Sequence, residues 1–223
     1  MGQTAPACAT GIFGPSMYTQ PLFQPEDSGE CHRLMRAYPL ATVVATTEQG
    51  LEANLLPLEW VAHGVCGQLK GHVAREHTLH RSLRDGGQVL VVFQSPNAYI
   101  SPRWYVSGQR SGRLAPSWNY AAVQARGAIR FTDDSQWMHA HLQALTRSQE
   151  ERRTLPWSLQ DASPSFVEDA ARRLVGFEID IEHLSGKRFL SQQRTPEDRH
   201  SLVKHLLLEP AGAARDVGAM IVP

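Results

Sequence analysis

The sequence predicts a mainly β fold with peripheral helices (α+β), in which antiparallel strands close into a barrel. Three observations favour it: about seven short strand-like runs, connections that mostly have hairpin length, and helical patterns lying between them. The 223 residues contain no internal repeat and no linker long enough to divide the chain. One domain is therefore expected over residues 17–208, with a flexible leader at 1–16 and a flexible tail at 209–223.

The first part of the chain predicts a helix followed by three strands. The stretch PEDSGECHRLMRAYP predicts a helix that Asp27 or Ser28 caps and that Pro39 ends. Three strands are expected between LATVV and LKGHV, because turn residues occur at 48–50 and at 63–64.

The third of these strands is expected to end at Gly71 and His72. A helix is expected next, at 76–84, and it stops at the Asp-Gly-Gly of 85–87. The run QVLVVFQ predicts a buried strand, and PNAYISPRWY predicts a bend into another one.

The second half predicts long strands and capped helices. In WNYAAVQARGAIRFT, one face carries Val123, Ala125, Ile129 and Phe131, and VGFEIDIEHLSG alternates in the same way. Helices are expected over DDSQWMHAHLQALTRSQEER, SPSFVEDAARRL and TPEDRHSLVKHLL, the second with Pro164 in its first turn. The segment KRFLSQQR extends the sheet.

The composition weighs against several classes of protein. Basic and acidic residues number 22 each, so the net charge is zero, which disfavours binding of nucleic acid through a broad basic face. No run approaches the roughly 20 apolar residues of a membrane helix. The three cysteines lack metal-like spacing and indicate a reducing, cytoplasmic location.

The stretch GHVAREH is the first candidate site. A glycine in a strand lets a ligand approach the backbone closely, and the start of a following helix offers free N–H groups. The guanidinium of Arg75 adds a planar fork of donors, so the corner from Gly71 to Arg75 predicts a phosphate or carboxylate site. The alternative is a surface corner with an exposed arginine.

Three histidines of this stretch are candidate ligands. His72 is open to three interpretations: a metal ligand, an axial ligand of haem iron, or a histidine that satisfies a buried hydrogen bond. His77 and His80 lie one helical turn apart beside Glu76, which permits metal binding. A solvated helix face is the commoner arrangement for such a pair, and we expect it here.

A Gly-rich loop in RWYVSGQRSGRLAPSWNY is flanked by aromatic and basic residues. Aromatic walls with neighbouring arginines suit a planar, anionic cofactor, and core aromatics at a barrel corner are the alternative. The residues concerned are Trp104, Tyr105, Trp118, Tyr120, Arg110 and Arg113. The sequence has no nucleophile elbow, P-loop or dinucleotide fingerprint, so catalytic residues stay unassigned.

Nine segments, in this order, resemble the PaiB family of FMN-binding negative transcriptional regulators. They are SMYTQPLF, YPLATVV, GLEANLLPL, LKGHVAR, VLVVFQSPNAYISPRWY, APSWNYAAVQARG, PWSLQDASPSF, VGFEIDIEHLSGK and LSQQR. The resemblance implies an FMN-binding split β-barrel of the antiparallel Greek-key type. It also implies a homodimer with cofactor sites at the subunit interface.

The resemblance further implies which residues hold FMN: the GHVAR corner, Asn54 near the ring, and Trp118 with Asn119 closing the site. With the aromatic loop, the predicted cofactor-binding residues are Asn54, Gly71, His72, Val73, Arg75, Trp104, Arg113, Trp118 and Asn119. Three positions depart from the family pattern, since Leu55, Gly108 and Gln124 stand where the family often has His, Lys and His.

Piperazate synthases are a second similar group, and they use haem to form an N–N bond in a hydroxylated ornithine. They share the GH…R corner, a WN segment and LSQ with this chain. The alternative prediction is therefore a haem enzyme with His72 as the axial ligand. The longer aromatic loop and SPRWY lie nearer the PaiB branch, which implies an FMN protein acting as a negative transcriptional regulator or a small flavin oxidoreductase.

Overall fold

The structure, a computed structural model, describes residues 17–113 and 115–223. The predicted flexible leader at 1–16 lies outside the described residues. The strands are β1 Leu40–Thr47, β2 Gly50–Pro57, β3 Glu59–Val61, β4 Gln68–Ala74, β5 Gln88–Gln94, β6 Ala98–Ile100, β7 Ser117–Thr132 and β8 Leu174–Phe189. The α-helices are α1 Ser28–Ala37, α2 Thr78–Ser82, α3 Val106–Ser111, α4 Ser135–Glu150, α5 Pro164–Ala171, α6 Pro196–Leu208 and α7 Ala213–Met220.

The chain forms two compact units, and β5, β7 and β8 contribute residues to both. Within the described residues, the first unit comprises 39–92 and 125–184. The described part of the second comprises 17–38, 93–113, 115–124 and 185–223. The single domain expected over 17–208 stays a prediction.

The first unit is built on an antiparallel sheet with the strand order β2-β1-β5-β7-β8-β4-β3. The alternation predicted for β8 is present: Phe177 and Ile179 are fully buried, whereas Glu178 and Asp180 are only partly covered. Since successive side chains of a strand point to opposite faces, one face of β8 packs into the apolar core and the other carries acids. The predicted mainly β fold with peripheral helices is confirmed.

Two details of the first unit differ from the prediction. Four strands, not three, occupy 40–74, because the chain breaks at Leu58 between β2 and β3. Gly71 and His72 do not end a strand, since β4 continues to Ala74 with His72 opposite Gly176 on β8. The helix expected at 76–84 is present but shorter, since α2 spans only Thr78–Ser82.

The outward face of β1 and β2 is apolar and open. Leu40, Leu51 and Leu55 are 59%, 81% and 67% exposed. The antiparallel register places Leu55 opposite Thr42 and Leu51 opposite Thr46, so these side chains share one face. Several large apolar side chains together on one face are typical of an interaction surface.

The second unit has its own apolar core, formed with the C-terminal helices. Ile100 on β6, Tyr105, Leu202 and Leu206 on α6, and Val217 on α7 are all buried in it. The stretch 209–223, expected to be a flexible tail, contains α7, whose Val217 packs into this core. Its flexibility stays a prediction.

Two features are absent from the described residues. No helix among them has the length and apolar character needed to cross a membrane. No group of three or more His, Cys, Asp or Glu side chains in the same part of the chain is arranged to hold a metal ion. The cytoplasmic location stays a prediction.

Candidate functional site

The predicted GHVAR corner lies on β4, whose two faces differ sharply. Leu69 and Val73 face the core and are buried, whereas Lys70 and His72 project from the opposite face and are half-buried. Lys70 lies opposite Glu178 on β8, and their charged atoms are 3.1 Å apart. The polar face of β4 therefore continues onto β8.

Gly71 serves packing on the core side of β4. A Cβ at this position would lie 2.5 Å from Phe177 and 2.6 Å from Leu58, much closer than carbon atoms approach each other. The sequence analysis expected this glycine to open the backbone to a ligand. On the core face that expectation is wrong, because the ring of Phe177 already fills the space. Val73 is also a core residue.

The guanidinium of Arg75 is engaged by the protein itself. It donates to the carboxylate of Asp133 at 2.7 Å and to the carbonyls of Leu174 and Arg172 at 3.1 and 3.2 Å. These bonds join the end of β4 to the start of β8 and to the connection between β7 and α4. A phosphate would have to displace Asp133, so the arginine is a structural clamp in this arrangement.

A cavity of about 750 Å³ adjoins Arg75. Its lining includes the carboxylates of Asp133, Asp134 and Glu168 and the guanidinium groups of Arg75 and Arg172. Carboxylates repel an anion, so this lining does not suit the predicted phosphate site.

Helix α4 places a second histidine against His72. Nδ1 of His72 lies 3.1 Å from Nε2 of His141, within hydrogen-bond distance. The side chain of His141 is 1% exposed, and its Nδ1 lies 3.9 Å from Oε2 of Glu59 on β3. The structure thus brings together one predicted residue, His72, and two that the sequence analysis missed.

Burial sets the protonation of this group. Burial lowers the pKa of His72, and burial with the neighbouring His72 and Lys70 charges lowers the pKa of His141 to about 4. Burial likewise raises the pKa of Glu59, although the Lys70 ammonium opposes it. Both imidazoles are therefore neutral near neutral pH.

Trp137 on α4 covers the polar face. Its ring stacks on His141 with 5.0 Å between centroids, and its Nε1 donates to Glu178 at 2.7 Å. Gly176 leaves room for the ring, since a Cβ there would lie 2.1 Å from Trp137. Burial by itself raises the pKa of Glu178, but the hydrogen bonds from Trp137 and Lys70 outweigh it. The net pKa is lowered, so Glu178 stays ionised.

The second unit presents an aromatic pair on the ribbon of β6 and β7. Tyr99 and Trp118 lie opposite each other in the ladder, 49% and 51% exposed, with their rings edge to face at 5.9 Å. Nε1 of Trp118 donates to Oδ1 of Asn97 at 2.8 Å, which fixes the orientation of the indole. We call Tyr99 and Trp118 the aromatic ribbon. It offers a flat, half-open surface.

The remaining predicted residues of the second unit have different surroundings. Trp104 stacks on His205 at 5.5 Å and packs against the core of this unit. Asn119 is fully buried and hydrogen-bonds Ser191 at 2.9 Å, so its amide is a structural group. Arg113 is exposed in the segment that leads from α3 to β7.

The other candidates lie in the first unit. Asn54 donates to Glu52 at 3.0 Å, and Glu52 in turn accepts from Thr78 at 2.6 Å. His77 caps α2 by accepting from Leu79, and the His80 ring lies edge-on to Phe131, 5.2 Å away. Within the described residues, no group of three or more His, Cys, Asp or Glu side chains arranged to hold a metal ion includes these two histidines.

The signal that could have found His141 was weak. Its helix was predicted, and His141 lies four residues after Trp137, which places both on one side of a helix. Nothing local says that this side covers the polar face of β4 rather than solvent.

Comparison with known proteins places this arrangement in a family context. Residues 17–183 match the family described as "Putative FMN-binding domain". The protease synthase and sporulation protein PAI 2 of Bacillus subtilis is 29% identical over 206 residues, which is 92% of this chain and 96% of that protein. The uncharacterized protein AN0679 of Emericella nidulans is 29% identical over 163 residues, 61% of this chain. The matched region spans 65% of that fungal protein, slightly less than two thirds of its length.

A solved structure with the same fold is the FAD and haem binding protein from Mycobacterium smegmatis. It superposes with a TM-score of 0.57 and 16% identity, covering 88% of this chain and 79% of that one. At this identity the similarity shows the fold alone. The predicted split-barrel fold is confirmed.

Proposed function

The chain belongs to the FMN-binding domain family, as its resemblance to PaiB proteins predicted, and from that premise we propose that it binds FMN and works as a small flavin-dependent oxidoreductase. The observation that carries the proposal is the family match over residues 17–183. The matched region contains the aromatic ribbon, whose rings are oriented yet half exposed. The relative from Mycobacterium smegmatis binds FAD and haem, which supports a flavin here.

The residues of the aromatic ribbon fit a planar ring system. Aromatic side chains stack on flat ligands, and the bond from Trp118 to Asn97 holds the indole before a ligand arrives. Arg113, in the same unit and close in sequence, is the cation that we assign to the phosphate. Arg75 fits this role poorly, because it already binds Asp133. Bound FMN would supply one- and two-electron transfer.

A homodimer is part of the proposal. Leu40, Leu51 and Leu55 leave the outward face of β1 and β2 apolar and open. An identical copy related by a twofold axis would cover this face with the same face of its own, as in an isologous interface. Such a dimer buries the exposed leucines of both copies.

Flavin binding is tested by titrating FMN into the full chain while following quenching of flavin fluorescence. We expect saturable binding with one FMN for each protomer, and weaker binding by Trp118→Ala and Arg113→Ala. Trp157→Ala and Arg152→Ala are matched controls, because they remove an exposed indole and an exposed guanidinium elsewhere on the surface. Wild-type protein that leaves FMN fluorescence unchanged would refute the proposal.

The dimer is tested by light scattering after gel filtration. Leu55→Glu places a charge on the apolar face and is expected to give monomers, since a buried unpaired charge is costly. Leu155→Glu is the control, because Leu155 is 89% exposed outside this face. A wild-type monomer at micromolar concentration, or a dimer that tolerates Leu55→Glu, argues against this interface.

Haem binding is a second candidate function, and one observation favours it. Nδ1 of His72 is engaged by His141, which leaves Nε2 as the nitrogen for a ligand. A neutral imidazole whose other nitrogen is held by a hydrogen bond fits an axial position on iron. The binding of haem by the Mycobacterium smegmatis relative supports this candidate. A Soret band that changes in His72→Ala is the expected result, and absence of haem uptake contradicts it.

Negative regulation of transcription stays a prediction of the PaiB resemblance. Direct contact with DNA is disfavoured by equal numbers of acidic and basic residues. A gel-shift titration at physiological salt tests it, and we expect no specific complex.

A further inference from the structure

A row of three side chains joins Glu59 on β3, His141 on α4 and His72 on β4; His141 is buried and the other two are partly buried. Nε2 of His141 lies 3.1 Å from Nδ1 of His72, and Nδ1 of His141 lies 3.9 Å from Oε2 of Glu59. The Glu59 side chain is 19% exposed. The flavin proposal above uses none of these three residues, and the haem proposal gives Glu59 no role, although removing titratable groups from water is costly.

The row determines which nitrogen carries each proton. Two ring nitrogens 3.1 Å apart form a hydrogen bond with one proton between them, so one N–H donates and the other nitrogen accepts. Within the described residues, Nδ1 of His141 is buried without a hydrogen-bond partner, and Glu59 is the carboxylate that it faces. A proton on this nitrogen is attracted to the carboxylate, whereas a lone pair there would be repelled by it.

It follows that His141 carries its proton on Nδ1 and accepts through Nε2. The proton between the two rings then belongs to His72, whose Nδ1–H donates to His141. The lone pair of His72 is left on Nε2, the nitrogen that points away from this hydrogen bond.

The packing around the row prevents easy rearrangement. Trp137 stacks on His141 and is itself held by its bond to Glu178. Lys70 lies 5.7 Å from the Trp137 ring and pairs with the same carboxylate. A ring flip of His141 would therefore disturb the whole polar layer.

We propose that Glu59 and His141 are positioning residues that fix His72 as its Nδ1–H tautomer and thereby present Nε2 to a transition-metal centre of the haem-iron type. Imidazoles that bind metals commonly donate their other N–H to such a partner, which sets both tautomer and ring orientation. The nature of the ligand rests on the haem proposal above, whereas the tautomer is a property of the chain alone.

The tautomer is tested by two-bond ¹H–¹⁵N correlation spectra of the full-length, ¹⁵N-labelled protein without cofactor. His72 is assigned by comparison with His72→Gln. We expect a protonated Nδ1 and an unprotonated Nε2 for His72. In His141→Leu the acceptor is gone, and both tautomers should appear. His141→Gln should restore the wild-type pattern, because its amide oxygen reaches the position of Nε2 and accepts a hydrogen bond.

His139→Ala, on the same helix, is the control and should leave the His72 signals unchanged. Thermal melting of each variant verifies that it is folded. A wild-type His72 protonated on Nε2 overturns the proposal, and so does a His141→Leu variant that keeps the wild-type tautomer. Neither result concerns flavin binding, so the two proposals fail separately.

The ligand is tested by titrating ferric haem and following the Soret band. Loss of an outer hydrogen-bond partner typically costs about 10–100-fold in metal affinity, and we expect this for His141→Leu, with His141→Gln close to wild type. His72→Ala should abolish the spectral shift. Equal haem affinity in wild type and His141→Leu, or no haem binding by wild type, overturns the assignment of the ligand.

Discussion

Trp137 on α4 and Trp118 on β7 show how burial separates two uses of one residue type. Both indoles donate through Nε1 to an acceptor on the same chain, at 2.7 Å to Glu178 and at 2.8 Å to Asn97. The Trp137 ring is covered by His141 and Lys70, whereas the Trp118 ring is 51% exposed. A satisfied hydrogen bond thus fixes both rings, but only Trp118 keeps a surface for a ligand.

The largest contrast is expected in stability. Trp137→Ala leaves a cavity beside Gly176 and removes the donor to Glu178, so it should lower the free energy of unfolding by about 3 kcal/mol. Trp118→Ala should change it by less than about 1 kcal/mol, since half of the ring is exposed. Urea denaturation measures both. Equal losses would contradict the distinction between the two regions.

The covered region should also make stability depend on pH. His141 has a pKa lowered from 6.5 to about 4, so below pH 6.5 the unfolded chain binds a proton that the folded chain does not. Its contribution is fully present above pH 6.5 and is lost as the pH falls towards 4, by roughly 3 kcal/mol at most.

Three neighbouring groups also have shifted pKa values. The lowered pKa values of His72 and Glu178 act in the same direction as His141, and the raised pKa of Glu59 acts in the opposite direction. The difference between wild type and His141→Gln isolates the histidine. Urea midpoints at pH 7 and pH 5 give this difference, which should shrink at the lower pH. An unchanged difference would mean that His141 titrates normally.

Substitution in the aromatic ribbon should change the affinity for FMN more than the stability of the fold. Loss of an aromatic contact is worth about 1.4 kcal/mol, so Trp118→Ala should bind FMN about tenfold more weakly. Trp137→Ala, where it is folded, should keep FMN affinity within about threefold of wild type. Fluorescence titration of both variants measures these affinities. Weaker FMN binding by Trp137→Ala than by Trp118→Ala would contradict the expectation.

The smallest effect is expected at the Arg75 clamp. Arg75 and Asp133 are 46% and 64% exposed, so water screens their attraction. Asp133→Asn should therefore lower stability by only about 0.5–1 kcal/mol. It should also free a guanidinium beside the cavity at this corner. Enhanced FMN binding by this variant would show that the corner can take a phosphate after all.

The sequence predicted the parts of this protein that local pattern controls. Alternation identified the buried face of β8, and Asp27 and Pro164 marked the starts of α1 and α5. It missed α3 and α7, because Gly and Ala in short helices resemble loops. It also merged β2 and β3 into one strand, since Leu58 keeps the apolar pattern across the break.

The candidate site was predicted only in part, because its partners are distant in sequence. His72 was identified from its motif, but Glu59 and His141 reach it through the pairing of β3 with β4 and the packing of α4. Arg75 was identified as a donor, and only the fold shows that its guanidinium already donates to Asp133. Trp118 was singled out from the sequence as an aromatic residue beside a Gly-rich loop, whereas its exposure depends on the pairing of β6 with β7.

FMN titration decides whether the aromatic ribbon, rather than the row of Glu59, His141 and His72, binds the flavin. FMN is titrated into wild type, Trp118→Ala and His72→Ala under one set of conditions. We expect saturable binding by wild type, weaker binding by Trp118→Ala and wild-type affinity for His72→Ala. Loss of FMN binding in His72→Ala with full binding in Trp118→Ala would contradict this expectation, as would a wild-type protein that binds no FMN.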